Sequence, residues 1–372
     1  MSLKILHTSD LHLGLKFSTY PDEVRDALIE ARFEALVRLV DKANEEKCDL
    51  MIVAGDLFDR VTVAKRDIRR AAGALGEFQG SLVAVLPGNH DYFARSEDSL
   101  WTTFCDAMAN NTIVMREPRV VRLEAYDIDA CLYPAPCHAK RSPGNAIGWI
   151  RDAEKDESVT HHVAVAHGSL EGVSPDFEGR YYPMTMAELE QAGMDLWLLG
   201  HTHVQYPARP GSGQGVFFPA TPEPDGFGCD HEGKAWVLVL DEKKKLTARS
   251  LSTGSYRFLH DEVSVSTASD LQALEKKYAA GKHSSTLLKL RLSGRVAGEV
   301  FEHLGDTKSR ISKKLFHLAW NDDEVVRRVT AKEIERTFTK GSFPHRLLKT
   351  LARRQEDAEA LQDAHDLIME VK

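Results

Sequence analysis

The chain has 372 residues, a formal net charge of −8, 42% hydrophobic and 28% charged residues, and five cysteines. At roughly 100–200 residues per domain, this is an ordinary soluble composition with room for two or three domains and a sizeable core. Cys48, Cys105, Cys131, Cys137 and Cys229 are odd in number and form no C-x-x-C pair, which argues against a disulfide framework and a thiolate zinc site.

A reducing, cytoplasmic location is therefore expected. The opening MSLKILHTSD runs into a strand-like segment without the charged and apolar regions of an export signal, so no export is expected. Apolar runs such as Leu50 to Ala54 fall far short of the ~18–20 residues of a membrane span. Charge is unevenly placed: Lys308 to Arg354 holds 13 Lys/Arg against five Asp/Glu, leaving −16 on the remainder. The basic stretch reads either as a solvated helical surface or as a contact for phosphate or an acidic partner.

In chain order, the first two hundred residues alternate short apolar runs with helical patterns, an α/β arrangement. Strands are expected at Leu3 to Thr8, Leu50 to Ala54, Leu82 to Leu86, Val163 to Ala166 and Leu196 to Leu199. Between the first two, Leu28, Ala31, Phe33, Leu36, Val40 and Ala43 have helical spacing and predict a crossover helix. A Pro/Gly-rich stretch from Tyr206 to Gly228 interrupts the pattern, KAWVLVLD resumes it, and LSTGS at Leu251 to Ser255 suggests a domain boundary. Beyond it, FLHDEVSV, ASDLQALEKKYAAG and TLLKLRL suggest a small α/β domain. The tail is helical, with a capping box at Thr330 and Glu333, a second start at Ser342 ahead of Pro344, and an amphipathic pattern through Leu361, His365, Ile368 and Val371.

Each of the five strands ends in groups able to bind a metal: Asp10 and His12, Asp56 and Asp59, Asn89 with His90 and Asp91, His167, and His201 with His203. The carboxyl edge of an α/β sheet is where sites form. Any one of these is ordinary as a cap, turn or core residue, whereas five in succession at strand ends point to a metal site. The donors are carboxylate, imidazole and amide without thiolate, which selects a harder divalent ion, Mn²⁺ first, with Fe²⁺, Zn²⁺ or Mg²⁺ as alternatives. Seven such ligands exceed what one ion with open positions would use, and would suit two ions about 3.5–4 Å apart that share a carboxylate. In LPGNHD, Gly88 permits a tight exit from the strand.

Taken together, D-x-H, G-D-x-x-D, G-N-H-D, a later H-G and G-H-x-H resemble the calcineurin-like metallophosphoesterase superfamily over roughly Met1 to Asp241. HTSDLHLG, GDLFD and LPGNHD are most similar to its bacterial SbcD-type and YhaO-like DNA-repair exonucleases, and LLKLRLSGR is similar to the capping domain of that branch. The resemblance implies a β-sandwich flanked by helices as catalytic domain at 1–254, a small α/β capping domain at 255–322 and a helical partner-binding segment at 323–372. It also implies Asp10, His12 and His203 on one ion, Asn89, His167 and His201 on the other, and Asp56 between them. In the family pattern the histidine matching His90 is catalytic and the acidic residue after it, Asp91, orients it; Asp91 also reads as an Asx-type turn residue. Asp59 reads as a structural hydrogen-bonding residue beside the bridge.

Two dications would bind the oxygens of an anionic phosphodiester and bring a water toward ionisation, so no side-chain nucleophile is needed. The departing 3′ oxygen needs a proton or a positive neighbour, which an imidazole of pKa about 6.5 can supply. The implied function is a metal-dependent DNA nuclease, an exonuclease hydrolysing phosphodiesters at DNA ends. Two other readings stand beside it: a phosphodiesterase on nucleotides or other small phosphates, because the constellation reports the reaction and not the substrate's size, and a DNA-binding or ATPase-regulating subunit with little hydrolysis. The complete ligand set counts against the last.

The resemblance further implies DNA and a coiled-coil SMC-like (SbcC-like) ATPase as partners, the latter docking on C-terminal helices. The segment from Lys308 to Lys372 lies there, and a cap packed on its own domain is the other reading of it. A homodimer is implied through early helices, with Ile68, Ala72, Leu75 and Phe78, or Trp101, Phe104 and Met108, as the stripes; such stripes also pack on a parent sheet.

Overall fold

The computed structural model describes residues 2–94, 99–211, 214–279, 283–353 and 358–371. They form two bodies, Met1–Arg257 and Phe258–Lys372. The first contains β1 (Leu3–Thr8), α1 (Asp22–Glu45), β2 (Leu50–Ala54), α2 (Lys65–Gly76), β3 (Leu82–Leu86), α3 (Leu100–Cys105) and β4 (Thr112–Val114). There follow β5 (Val121–Arg122), β6 (Ala130–Ala135), α4 (Gly148–Asp152), β7 (His161–His167), α5 (Met186–Ala192), β8 (Leu196–Gly200), β9 (Gln205–Tyr206), β10 (Val216–Pro219), β11 (Lys234–Leu240) and β12 (Leu246–Ser252).

The strands make two six-stranded sheets, β12-β11-β1-β2-β3-β4 and β5-β6-β7-β8-β10-β9. β1 to β4 run parallel, as do β6, β7 and β8. Continuous apolar runs such as LMIVA and LVAVL are buried on both faces, as parallel strands covered on each side must be. Alternation sorts the side chains: Ile5, Ile52 and Ala84 of one sheet meet Leu132, Val163, Leu198 and Phe217 of the other. Leu6, Met51 and Val85 turn outward to Phe33, Leu36 and Leu39 of α1 and Ile68 and Leu75 of α2. On the far side Tyr133, Trp197 and Leu199 pack with Ile150 of α4 and Leu189 of α5. The result is helix, sheet, sheet, helix. Leu198→Ala removes a fully buried side chain from between the sheets. It is expected to cost about 2–5 kcal/mol, read as a lowered denaturant midpoint for the first body.

Both dimer stripes expected from the sequence are absorbed by this core. Ile68, Ala72, Leu75 and Phe78 and the pair Trp101 and Phe104 are buried on their own sheet, with Met108 packed against them.

The second body contains β13 (Arg257–Ser264) from its second residue on, α6 (Ala268–Ala279), β14 (Thr286–Val296), α7 (Gly298–Glu302), α8 (Leu304–Ser312), β15 (His317–Arg327), α9 (Ala331–Thr337), α10 (Phe343–Leu351) and α11 (Ala358–Val371). Its sheet is β13-β14-β15, with Leu288, Leu290 and Leu292 packed on Leu271 and Leu274 of α6 and Leu304 and Ile311 of α8. The last helices share a cluster of Val329, Ile334, Phe338, Leu348 and Leu361. α9 opens with the Thr330–Glu333 capping box and α10 with Ser342 as its N-cap.

Two boundaries differ from the sequence expectation. The first body runs past residue 254 because Ser255 and Tyr256 donate their backbone N–H groups to the Glu223 carboxylate at 2.7 and 2.8 Å. A division at 322/323 would cut β15, whose ladder with β14 runs from His317 to Arg327, so the all-helical part begins at Ala331. Among the described residues the cysteines are free and no helix is long and apolar enough to cross a membrane.

Candidate metal centre

The carboxyl ends of β1, β2 and β3 in one sheet and of β7 and β8 in the other open onto a common edge. The first two loops run side by side: Asp10 N donates to Gly55 O at 3.0 Å and His12 N to Asp56 O at 3.0 Å. The second sheet is tied in where His201 N donates to Asp10 Oδ2 at 3.0 Å. Four of the residues so gathered take left-handed backbone, with φ of 56° at Asp10, 46° at His12, 53° at Asp56 and 98° at His201. Such conformations cost roughly 1–3 kcal/mol each at a non-glycine residue and persist only where the surroundings enforce them.

Gly88 owes its place to a close approach: a Cβ there would lie 2.2 Å from Asp56 Oδ1 and 2.4 Å from Asp56 N. Gly55, at φ 94°, is constrained twice over, since a Cβ would also lie 2.0 Å from His167 Nδ1.

Three groupings result. Asp10, His12 and His203 bring their donor atoms within 4.8 Å of one another, as do Asp10, Asp56 and His167, and His12, Asp56 and His90. The two ring nitrogens His12 Nε2 and His203 Nε2 face each other at 3.2 Å, with Asp10 Oδ1 at 3.5 Å from the latter. On the other side, Asn89 Oδ1 lies 2.9 Å from His167 Nε2 and 3.0 Å from His201 Nδ1. Asp56 lies against both sets, its Oδ2 3.3 Å from His167 Nε2 and 3.8 Å from His12 Nε2.

The electrostatics fit a cation site. Burial pulls the His203 imidazole toward the neutral form, but the Asp10 and Asp225 carboxylates overcome it and raise its pKa to about 10. For His167 burial is likewise overcome, chiefly by Asp56, giving about 9. Burial would raise Asp10 and Asp56, yet the adjoining rings hold both carboxyls well below the usual carboxylate range. A cluster that keeps buried carboxylates ionised and draws protons onto two imidazoles has surplus negative charge, which divalent cations would balance in place of those protons.

Ring orientations are set from behind. His167 Nδ1 donates to Ala54 O at 2.8 Å, leaving Nε2 toward Asn89 and Asp56. His203 Nδ1 is 2.9 Å from Asp225 Oδ2, leaving Nε2 toward His12 and Asp10. This carboxylate–imidazole arrangement fixes the tautomer a metal ligand needs. Asp225 was not among the residues expected from the sequence; it sits in the Pro/Gly-rich stretch, where no spacing singles it out.

His90 is placed differently from expectation. Its ring Nδ1 lies 2.9 Å from the main-chain carbonyl of Asp59, and its backbone N–H donates to Asp56 Oδ1 at 2.8 Å. Asp91, expected to orient His90, instead accepts the backbone N–H groups of Phe58 at 3.0 Å and Gly88 at 2.7 Å. It is a buried staple between the loops after β2 and β3, with bonds that run back to Gly88 and across to Phe58 and not to the backbone two residues on, as an Asx-type turn would have them. Asp59 supplies the carbonyl that orients His90, while its carboxylate pairs with Arg60 and stands 3.9 Å from His12 Nδ1.

The chain is 27% identical over 218 residues to the "Uncharacterized metallophosphoesterase YhaO" of Bacillus subtilis (strain 168), covering 54% of this chain and 48% of that protein. It is 24% identical over 237 residues to the "DNA double-strand break repair protein Mre11" of Methanopyrus kandleri, covering 60% and 50%. The chain thus spans about half the length of the curated relatives it matches. The solved structure of TT1561 of Thermus thermophilus is similar over 67% of this chain and 99% of its own, at 14% identity and a TM-score of 0.40. Residues 3–205 match the family described as calcineurin-like phosphoesterase, a span that takes in every strand-end residue from Asp10 to His203. That match covers more than half of the sequence, and the chain belongs to the calcineurin-like phosphoesterase family.

Proposed function

We propose that this protein is a metal-dependent phosphodiesterase that acts on DNA ends, an SbcD-like exonuclease working in the cytoplasm. The observation that carries the hydrolytic reading is the convergence of seven donor residues from two sheets on one edge, with Asp56 against both halves. Asp10, His12 and His203 hold one cation in this reading and Asn89, His167 and His201 the other, with Asp56 shared and Mn²⁺ the proposed ion. Divalent cations held there would neutralise the non-bridging oxygens of a phosphodiester and would lower the pKa of a water toward neutrality. The chain's own contribution is a positioned acid. Because a carbonyl only accepts, His90 keeps its Nδ1 proton on Asp59 O, which leaves Nε2 as the ring atom that would pass a proton to the departing oxygen.

DNA as substrate is supported by the likeness to a relative named for double-strand break repair and by the basic stretch between Lys308 and Arg354. A coiled-coil SMC-like ATPase is the proposed partner. The exposed Phe343, Leu367 and Val371 of α10 and α11 are the surface that supports its docking.

The test is digestion of end-labelled duplex and single-stranded DNA with Mn²⁺, with Mg²⁺, and with EDTA. Nucleotide release that stops on chelation and returns with Mn²⁺ is the expected outcome. Turnover of bis-p-nitrophenyl phosphate with DNA left intact, even with the ATPase added, would replace DNA by a smaller phosphodiester. Turnover of neither would remove the hydrolytic reading.

A further inference from the structure

Arg32 lies on the buried face of α1 and is 1% exposed, a guanidinium enclosed in the first body. Its Nε donates to Leu11 O at 2.6 Å, its Nη2 to Asp10 O at 3.4 Å and its Nη1 to Glu223 O at 3.3 Å. The first two carbonyls belong to the two peptide groups between Asp10 and His12, both of which take left-handed backbone. Arg32 thus grips the whole turn that aims those two side chains. The third carbonyl lies two residues before Asp225, whose carboxylate orients His203. Glu223 is a fixed strut, since its carboxylate takes Ser255 N at 2.7 Å, Tyr256 N at 2.8 Å and Arg38 Nη2 at 2.9 Å.

We propose that Arg32 is a positioning residue for one cation position, that of Asp10, His12 and His203, and not for the other. The inference rests on the two-cation reading above. One planar fork reaches the turn carrying two of these ligands and the loop bracing the third, which a single ammonium donor on a flexible stem cannot do. The side chains of Asn89, His167 and His201 are aimed by other means: His167 hangs on Ala54 O and both rings close on Asn89 Oδ1, while the His201 backbone N–H alone of these reaches the turn that Arg32 holds, at Asp10 Oδ2.

Calorimetric titration of the metal-free full chain with Mn²⁺ tests this without reference to activity. The wild type should bind two ions. Arg32→Lys, which keeps the charge and loses the fork, should bind one unchanged and the other at least ~10-fold more weakly, the scale on which outer residues act on metal affinity. Two backgrounds identify which ion is weakened. His201→Ala, left with the Asp10 position, should bind its remaining ion at least ~10-fold more weakly when Arg32→Lys is added, whereas His203→Ala should bind its own unchanged.

An equal response in both backgrounds, or none in either, overturns the proposal. Fewer than two ions on the wild type overturns instead the two-cation reading on which it stands. If circular dichroism shows Arg32→Lys unfolded, Asp225→Asn replaces it in the same backgrounds and should give the same one-sided loss; a two-sided loss or none overturns the proposal equally.

Discussion

Asp56→Asn is expected to lower turnover by at least ~10³-fold and to reduce the number of cations bound. Asp56 is the carboxylate that lies against both halves of the site, 3.3 Å from His167 Nε2 and 3.8 Å from His12 Nε2, and its other oxygen accepts the His90 backbone N–H. The amide preserves size and one acceptor while removing the charge that two dications would share. Shared metal stabilisation is worth several kcal/mol, and each 1.36 kcal/mol is tenfold in rate. Hydrolysis of bis-p-nitrophenyl phosphate under saturating Mn²⁺, together with a metal count by titration, checks it. A variant within ~10-fold of wild type and still binding two ions would remove Asp56 from the centre of the account.

His90→Gln should separate proton transfer from metal binding. A positioned acid contributes roughly 10²–10⁴-fold, so kcat should fall by that much with KM and the cation count near wild type. The backbone bond from residue 90 to Asp56 does not depend on the ring, so the loop after β3 should remain in place. The informative alternative is a lost cation. His90 also lies within reach of His12 and Asp56, and a fall in stoichiometry would make it a ligand and not the acid.

Much of this could be read in the sequence because strand exits are local events. β1, β2 and β3 begin and end where apolar runs predict, and the residues after them are the ones that meet. β7 starts two residues early because His161 and His162 are polar yet buried in the strand. What could not be read is what distant segments do for one another. Asp225 is 22 positions from His203 and stands among prolines and glycines with no period, so only the folded contact reveals it. Asp91 and Asp59 exchange their expected relation to His90 because a main-chain carbonyl, invisible to residue identity, does the orienting. Arg32 left a legible trace: it falls four residues after Leu28 and four before Leu36, on the helix stripe that must be buried. A charge on such a stripe demands partners, and here they are the carbonyls beneath Asp10 and His12.

The most direct test of the central claim, a two-cation centre assembled from these strand ends, is anomalous diffraction from crystals grown with Mn²⁺. Two peaks are expected, one among Asp10, His12 and His203 and one among Asn89, His167 and His201, with Asp56 touching both. A single peak, or peaks away from Asp56, would contradict it.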